Sequence, residues 1–483
     1  MKKFIESLEL RLSDLFLLIG FLGFVVFLIF GQEFMQYQNP NMVGLPIWAA
    51  GVAFVIMVSF WAIYLYMEIV VKKEKVNPVI IGCFAFFAIL NVITIWVQPS
   101  LSVVDVIARM EYEASPGNII AQGTRFTIVE QISGVHKFVF SAEVIGIAMF
   151  LYIGLFIFPK RIKNIRFIEY LGYLLFALIG VLFVYSLIVE HNQYIGVFKY
   201  LLGVDRSIPL SEMSVKSFIL HKNAFGMVYM LGIIFTFINQ AIKARKWYYP
   251  LTGIFFVLML FTQCKTGILL SALIILAWLV YRLVVTYKDN KKRNLITFIV
   301  LGSVIVLGGI FIGVPYLTKG KVLGKVYALI TEITGSGKTV ETRTFIWDNV
   351  YQLIGNGNWV IGRGFGVINL LLMPMNIKTH NDPVFPTHSS WLNMLSEGGI
   401  FLLFAYIAFL IYVGYICFKA YKKSPLLTFA IFLGAFSFFA YSFIETIHYL
   451  MYVFLFPIFV IYYNGDKKAE VKEERDIEAV PQE

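Results

Sequence analysis

The chain of 483 residues is 59% hydrophobic and 17% aromatic, and only 14% of it is charged. A soluble domain carries about 25% charged residues, so this composition excludes an ordinary soluble enzyme and points to an all-α polytopic membrane protein. The net charge of +11 does not indicate nucleic acid, because the Lys and Arg residues stand in short clusters between apolar runs, the pattern that orients membrane proteins.

A hydrocarbon core about 30 Å thick takes roughly 20 apolar residues per helix. On that measure the sequence predicts twelve spans, near 13–31, 46–71, 78–98, 137–159, 167–189, 222–242, 247–263, 267–287, 294–314, 390–419, 426–444 and 446–463. The first run lacks a small-residue cleavage site and reads as a signal anchor. Cys83, Cys264 and Cys417 are far apart and mostly inside apolar runs, which gives neither a disulfide framework nor a zinc site.

Basic clusters set the expected orientation. With Lys2, Lys3 and Arg11 inside, the exits on the same side carry Lys72-Lys73-Glu74-Lys75, Lys160-Arg161-Ile162-Lys163 and Lys243-Ala244-Arg245-Lys246. Lys288 with Lys291-Lys292-Arg293, Lys422-Lys423 and Lys467-Lys468 continue the series. The positive-inside rule then places both termini in the cytoplasm. The resulting organisation is nine spans over 1–314, a large extracytoplasmic loop over 315–389, three spans over 390–463 and a charged tail over 464–483, which the composition predicts to be disordered. Two smaller outer segments cover about 99–136 and 190–221. A loop as long as 315–389 inside a compact protein is either functional or disordered. Its Gly, Trp and Phe residues interspersed with charge favour an ordered, partly helical loop. Within it, Thr342 to Tyr351 has the apolar spacing of an amphipathic helix.

Candidate chemistry gathers where that loop meets the tenth span, in the string from His388 to Gly399. An ionisable group in or beside a span is costly and is a functional candidate for that reason. His388 precedes Ser389 and Ser390, either of which can cap the helix. A helix N-terminus with free N–H groups suits a phosphate, and a neutral histidine there can act as general base towards a hydroxyl. The plainer alternative is an interfacial histidine hydrogen-bonded to a loop carbonyl. Glu397 stands nine residues further on, roughly 13 Å deeper and half a turn around, so a continuous helix keeps it away from His388. It fits a structural pairing with a cation or a backbone group at least as well as chemistry. Gly398 and Gly399 permit close approach or a kink.

A second constellation is cationic. Arg343 and Arg363 lie in the long loop, Lys222 and Lys265 abut spans, and Arg125 and Arg206 lie in the other outer segments. Such charges outside can clamp an anion such as a diphosphate, Arg by paired hydrogen bonds, although solvated loop cations are ordinary. Two strings carry less than they suggest. Gly335-Ser336-Gly337-Lys338-Thr339 imitates a phosphate-binding loop, but Glu332 occupies the position that needs glycine and no strand precedes it. His380-Asn381-Asp382 has too few ligands for a metal site.

Taken together, the dozen spans, the large loop before the tenth and the His388…Glu397-Gly398-Gly399 string resemble the O-antigen ligase and polysaccharide polymerase superfamily. Its Wzy-type polymerases and WaaL-type ligases are membrane glycosyltransferases of the GT-C class. Arg343 with Trp347 matches the family's Arg-x-x-x-Trp, and Gly362-Arg363-Gly364-Phe365-Gly366 its Gly-x-Gly segment. Lys222-Asn223 with Gly226 matches as well. Cys264-Lys265-Thr266-Gly267 is similar to its Ser-Arg-Thr-Gly, with the charge kept and the guanidinium fork lost. The matching motifs lie in about 220–400.

The resemblance implies a multi-pass protein of the bacterial cytoplasmic membrane that needs no metal and no cofactor. Its donor is a glycan on undecaprenyl diphosphate, and its acceptor is a sugar hydroxyl activated by His388. Arg343, Arg363, Lys265 and Lys222 hold the diphosphate, with Glu397, Trp347 and Arg206 in support. A chain-length regulator and a flippase are the implied protein partners, and nucleic acid is not a partner. Polymerase is the favoured subtype and ligase the alternative. A lipid-linked oligosaccharide transporter is the reading from another class, but no internal repeat is seen and the polar groups sit at the outer boundary instead of the midplane.

Overall fold

The computed structural model describes residues 11–36, 47–97, 134–162, 164–201, 204, 213–215, 222–286, 338–355, 359–368, 372, 387, 389–442 and 448–464. The predicted ninth span, most of the long loop and the charged tail lie outside the described residues, which form helices and no sheet. Among them, seven helices are long and apolar enough to cross a membrane.

The chain forms two units. The first comprises Met1–Lys163, Arg343–Phe418 and Ser442–His448. It holds α1 (Ser13–Gln36), α2 (Ile47–Tyr66), α3 (Pro78–Val97) and α4 (Gly134–Tyr152). α2 runs on into a π-helical turn, Met67–Val71, and α4 into Ile153–Ile157 of the same kind and a 3-10 turn, Phe158–Arg161. α4 packs against α1, α2 and α3 and is 61% buried, so it is the enclosed helix of this unit. α2 and α3, 22% and 17% buried, present apolar side chains such as Val55, Phe86 and Ile93 outward, as lipid-facing helices must.

The second unit comprises Asn164–Thr342, Lys419–Tyr441 and Tyr449–Glu483. Its first helices are α5 (Arg166–Val189), α6 (His191–Leu201), α7 (Lys222–Ile242), α8 (Tyr248–Thr262) and α9 (Lys265–Thr286). α7 is 78% buried and touches α5, α8 and α9. Two of its buried polar groups pair with neighbouring helices: Thr236 Oγ1 meets Thr252 Oγ1 at 2.6 Å, and Trp278 Nε1 donates to Gln240 Oε1 at 3.1 Å. α6 was not foreseen. It falls in the expected outer segment 190–221, with Tyr194, Val197 and Tyr200 buried and Ile195 and Phe198 exposed.

The remaining helices are α10 (Lys338–Gly355), α11 (Ser390–Lys423), α12 (Pro425–Tyr441), which also packs on α7, and α13 (His448–Asn464). α10 is the amphipathic helix expected near 342–351. Its stripe Ile346, Val350 and Ile354 is buried with Leu392 of α11, the i, i+4, i+8 spacing that a helix needs to seat one face.

Three of the predicted basic clusters meet at one end of α1, α2 and α4. Arg11 Nη1 lies 2.8 Å from Glu68 Oε2, and Lys72 Nζ lies 3.1 Å from Glu68 Oε1, which also accepts from the Ser13 hydroxyl. Arg161, 2% exposed, holds Asp14 through both Nη nitrogens. A charge removed from water needs this kind of paired partner, and deleting one partner strands the other. Asp14→Ala should therefore cost about 3 kcal/mol and lower the unfolding temperature of the detergent-purified protein. Lys243→Ala, at an exposed cation, should leave it within about 0.5 kcal/mol. Equal effects of the two substitutions would refute the buried pairing.

Candidate functional site

α11 is broken at Gly399, whose backbone angles of φ 65 and ψ −162 lie outside any helix. Such angles are essentially reserved for glycine. A break inside an apolar segment releases peptide groups that require partners, and the segment 359–366 supplies them. The Ile400 N–H leaves its helical position and donates to the Trp359 carbonyl at 3.0 Å. In exchange, the Arg363 N–H donates to the Ser396 carbonyl and the Gly364 N–H to the Glu397 carbonyl, both at 2.7 Å.

The crossing is tight because both chains are glycine where they meet. A Cβ at Gly362 would run into the Glu397 carbonyl, and one at Gly399 into the Val360 carbonyl. Gly362, Gly364 and Gly366 all have positive φ, so the Gly-x-Gly string is a turn shaped to enter a helix ladder.

Glu397 is buried at 3% exposure. Its Oε1 accepts the Gly366 N–H at 3.1 Å, and the Asn393 side chain bonds it as well. Its recorded partners are thus a backbone group and an amide. Arg363 is half-buried, and its Nε donates to the Leu353 carbonyl at 2.8 Å, one of the last carbonyls of α10. Burial lowers its pKa from the ordinary arginine value, and the group stays cationic at neutral pH.

Trp347 ties α10 to the start of α11. Its Nε1 donates to the Thr387 carbonyl at 3.0 Å, and Thr387 Oγ1 donates to the Ser389 carbonyl at 2.9 Å. Ser389 caps α11, its Oγ accepting the Leu392 N–H at 3.4 Å. The Ser390 N–H donates to the Ser442 carbonyl at 2.8 Å. These two N–H groups are therefore not free for a phosphate, as the sequence had suggested. Neither the Leu353 strut nor the Ser442 contact had any signal in the sequence, since main-chain carbonyls carry none.

His388 and Arg206 lie outside the described residues, as do the side chains of Arg343, Lys222 and Lys265. Their elements are described: Arg343 sits on α10, and Lys222 and Lys265 open α7 and α9. Within the second unit those two helix starts are joined. Cys264 Sγ lies 3.8 Å from the Asn223 carbonyl and 3.4 Å from the Tyr441 hydroxyl, and Gly226 leaves room for the Cys264 side chain. A lysine in the first turn of a helix opposes the helix dipole, a placement that an anion would relieve.

Gly399→Ala should cost about 2 kcal/mol or more, read as a lower unfolding temperature in detergent. Gly414→Ala, in the unbroken part of α11 with nothing within 4 Å of its added Cβ, should be neutral or gain up to about 1 kcal/mol. Equal tolerance at both positions would contradict the break.

A family model described as O-antigen ligase matches residues 250–407. That stretch contains Lys265, Arg343, Arg363, His388 and Glu397 and both sides of the Gly399 crossing, whereas Arg206 and Lys222 precede it. No curated protein and no solved structure matches the chain. Over that stretch the chain is similar to the O-antigen ligase family, a finding consistent with the O-antigen ligase and polysaccharide polymerase superfamily that its motifs resemble.

Proposed function

We propose that the chain is a glycosyltransferase of surface polysaccharide assembly that takes its donor as a glycan on undecaprenyl diphosphate, at the outer face of the cytoplasmic membrane. The observation that carries this reading is the O-antigen ligase match over 250–407, because the expected base and most of the expected cations fall inside that stretch. The acceptor sugar hydroxyl attacks the anomeric carbon of the donor. His388 takes the hydroxyl proton, and the bond from anomeric carbon to diphosphate oxygen breaks with its electron pair on the diphosphate. Arg363 and Arg343 hold that leaving group and offset its developing charge. Lys265 and Lys222, at helix starts, are further substrate-binding cations, with Trp347 and Arg206 in support.

In the polymerase reading the acceptor is another lipid-linked repeat unit. The matched family's description supports a second reading, in which a finished glycan passes to a terminal acceptor. Both use the same donor chemistry and the same base, with the membrane topology expected from the basic clusters.

His388→Ala should leave the protein in the membrane and reduce glycan transfer by about 100-fold or more, the usual contribution of a general base. Lipid-linked intermediates extracted from cells carrying this variant in place of the wild type provide the measurement. Undiminished long-chain polysaccharide would sink the general-base assignment. In a strain lacking the protein, single repeats on the normal acceptor identify a polymerase, and polymer left on the lipid identifies a ligase.

A further inference from the structure

We propose that Glu397 is a positioning residue that acts through Arg363. It latches the 362–366 turn into the break of α11 and thereby fixes the guanidinium that binds the donor diphosphate. This inference rests on the reading of Arg363 as a diphosphate ligand and gives Glu397 a role within it.

The turn is attached through both its main chain and its side chains. The Arg363 and Gly364 N–H groups enter the helix ladder on the Ser396 and Glu397 carbonyls. The Arg363 side chain reaches the Leu353 carbonyl through Nε, and among the described residues its two Nη nitrogens have no recorded partner. Beyond Gly364 the main chain has glycine again at Gly366, and glycine adds conformational freedom that must be restrained. That end is held by the Val367 N–H on the Gly364 carbonyl and by Val367 and Phe365 packed with Ile95, Phe140 and Val144. The side-chain hydrogen bond that joins it to α11 is the Gly366 N–H on Glu397 Oε1. A side chain on the helical segment before the break thus secures the far end of a turn whose near end carries Arg363. The carboxylate is itself steadied by Asn393, one turn earlier on the same helix.

What the latch requires is an oxygen acceptor at that position, and glutamine provides one. The test uses the full-length protein in nanodiscs, with undecaprenyl diphosphate as the probe ligand. Binding is measured for the wild type, R363A, E397A, E397Q and the double variant R363A/E397A, with amide hydrogen exchange followed over 359–367. R363A and E397A should each weaken binding by about tenfold, the scale of one hydrogen bond to a charged group. The double variant should bind no more weakly than R363A, E397Q should bind within about twofold of wild type, and exchange should quicken in E397A but not in E397Q.

Multiplying losses in the double variant would show that Glu397 does not act through Arg363. An E397Q defect as deep as that of E397A would show that charge, not the acceptor, is what counts, and would overturn the latch. Unchanged exchange in E397A removes the latch while the diphosphate reading stands. Wild-type binding by R363A removes the diphosphate reading, and the positioning role with it, whatever the exchange shows.

Discussion

The backbone exchange at Gly399 is the constraint on which the rest of the first unit depends. Peptide groups within a membrane helix have no water to bond, so a break there is tolerated only where another segment completes the ladder. The turn from Trp359 to Gly366 does so reciprocally, accepting the Ile400 N–H and donating to the Ser396 and Glu397 carbonyls. The fit requires glycine on both segments, because Gly362 lies against the Glu397 carbonyl and Gly399 against the Val360 carbonyl more closely than a Cβ allows. The turn is therefore fixed by the helix it interrupts, and the interruption by the turn.

From that crossing, rigidity passes to α10. The Arg363 side chain bonds the Leu353 carbonyl near the C-terminal end of α10, the apolar stripe of α10 seats on Leu392, and Trp347 bonds the Thr387 carbonyl. α10 is thus tied by hydrogen bonds near its end and along its length, with a buried face between. A catalytic group works when its frame holds it to within a fraction of an ångström. α10, which bears Arg343, and the turn that bears Arg363 share this frame.

The second unit solves a different problem, that of polar groups in an enclosed helix. α7 buries Thr236, Asn239 and Gln240, and neighbouring helices supply hydrogen-bonding side chains to it. At its other end the starts of α7 and α9 are joined by Cys264 and Asn223. Each of these starts carries a lysine that the helix dipole disfavours.

The sequence by itself determined where most of the described helices lie. Continuous apolar length is a local property, and the predicted spans near 78–98, 167–189 and 222–242 coincide with α3, α5 and α7 to within a residue or so. The apolar spacing at 342–351 likewise announced α10, whereas α6 escaped because its apolar residues divide between two faces. The strings Gly362–Gly366 and Glu397-Gly398-Gly399 were also visible, and the family resemblance rested partly on them. Only the tertiary structure decided that they are partners. Which N–H meets which carbonyl across some 30 residues of chain depends on a crossing of two backbones, and main-chain groups leave no mark in the residue letters. The same holds for Glu397: its carboxyl was legible as a buried acid, but its partner, the Gly366 N–H, exists only once the turn has been folded against it.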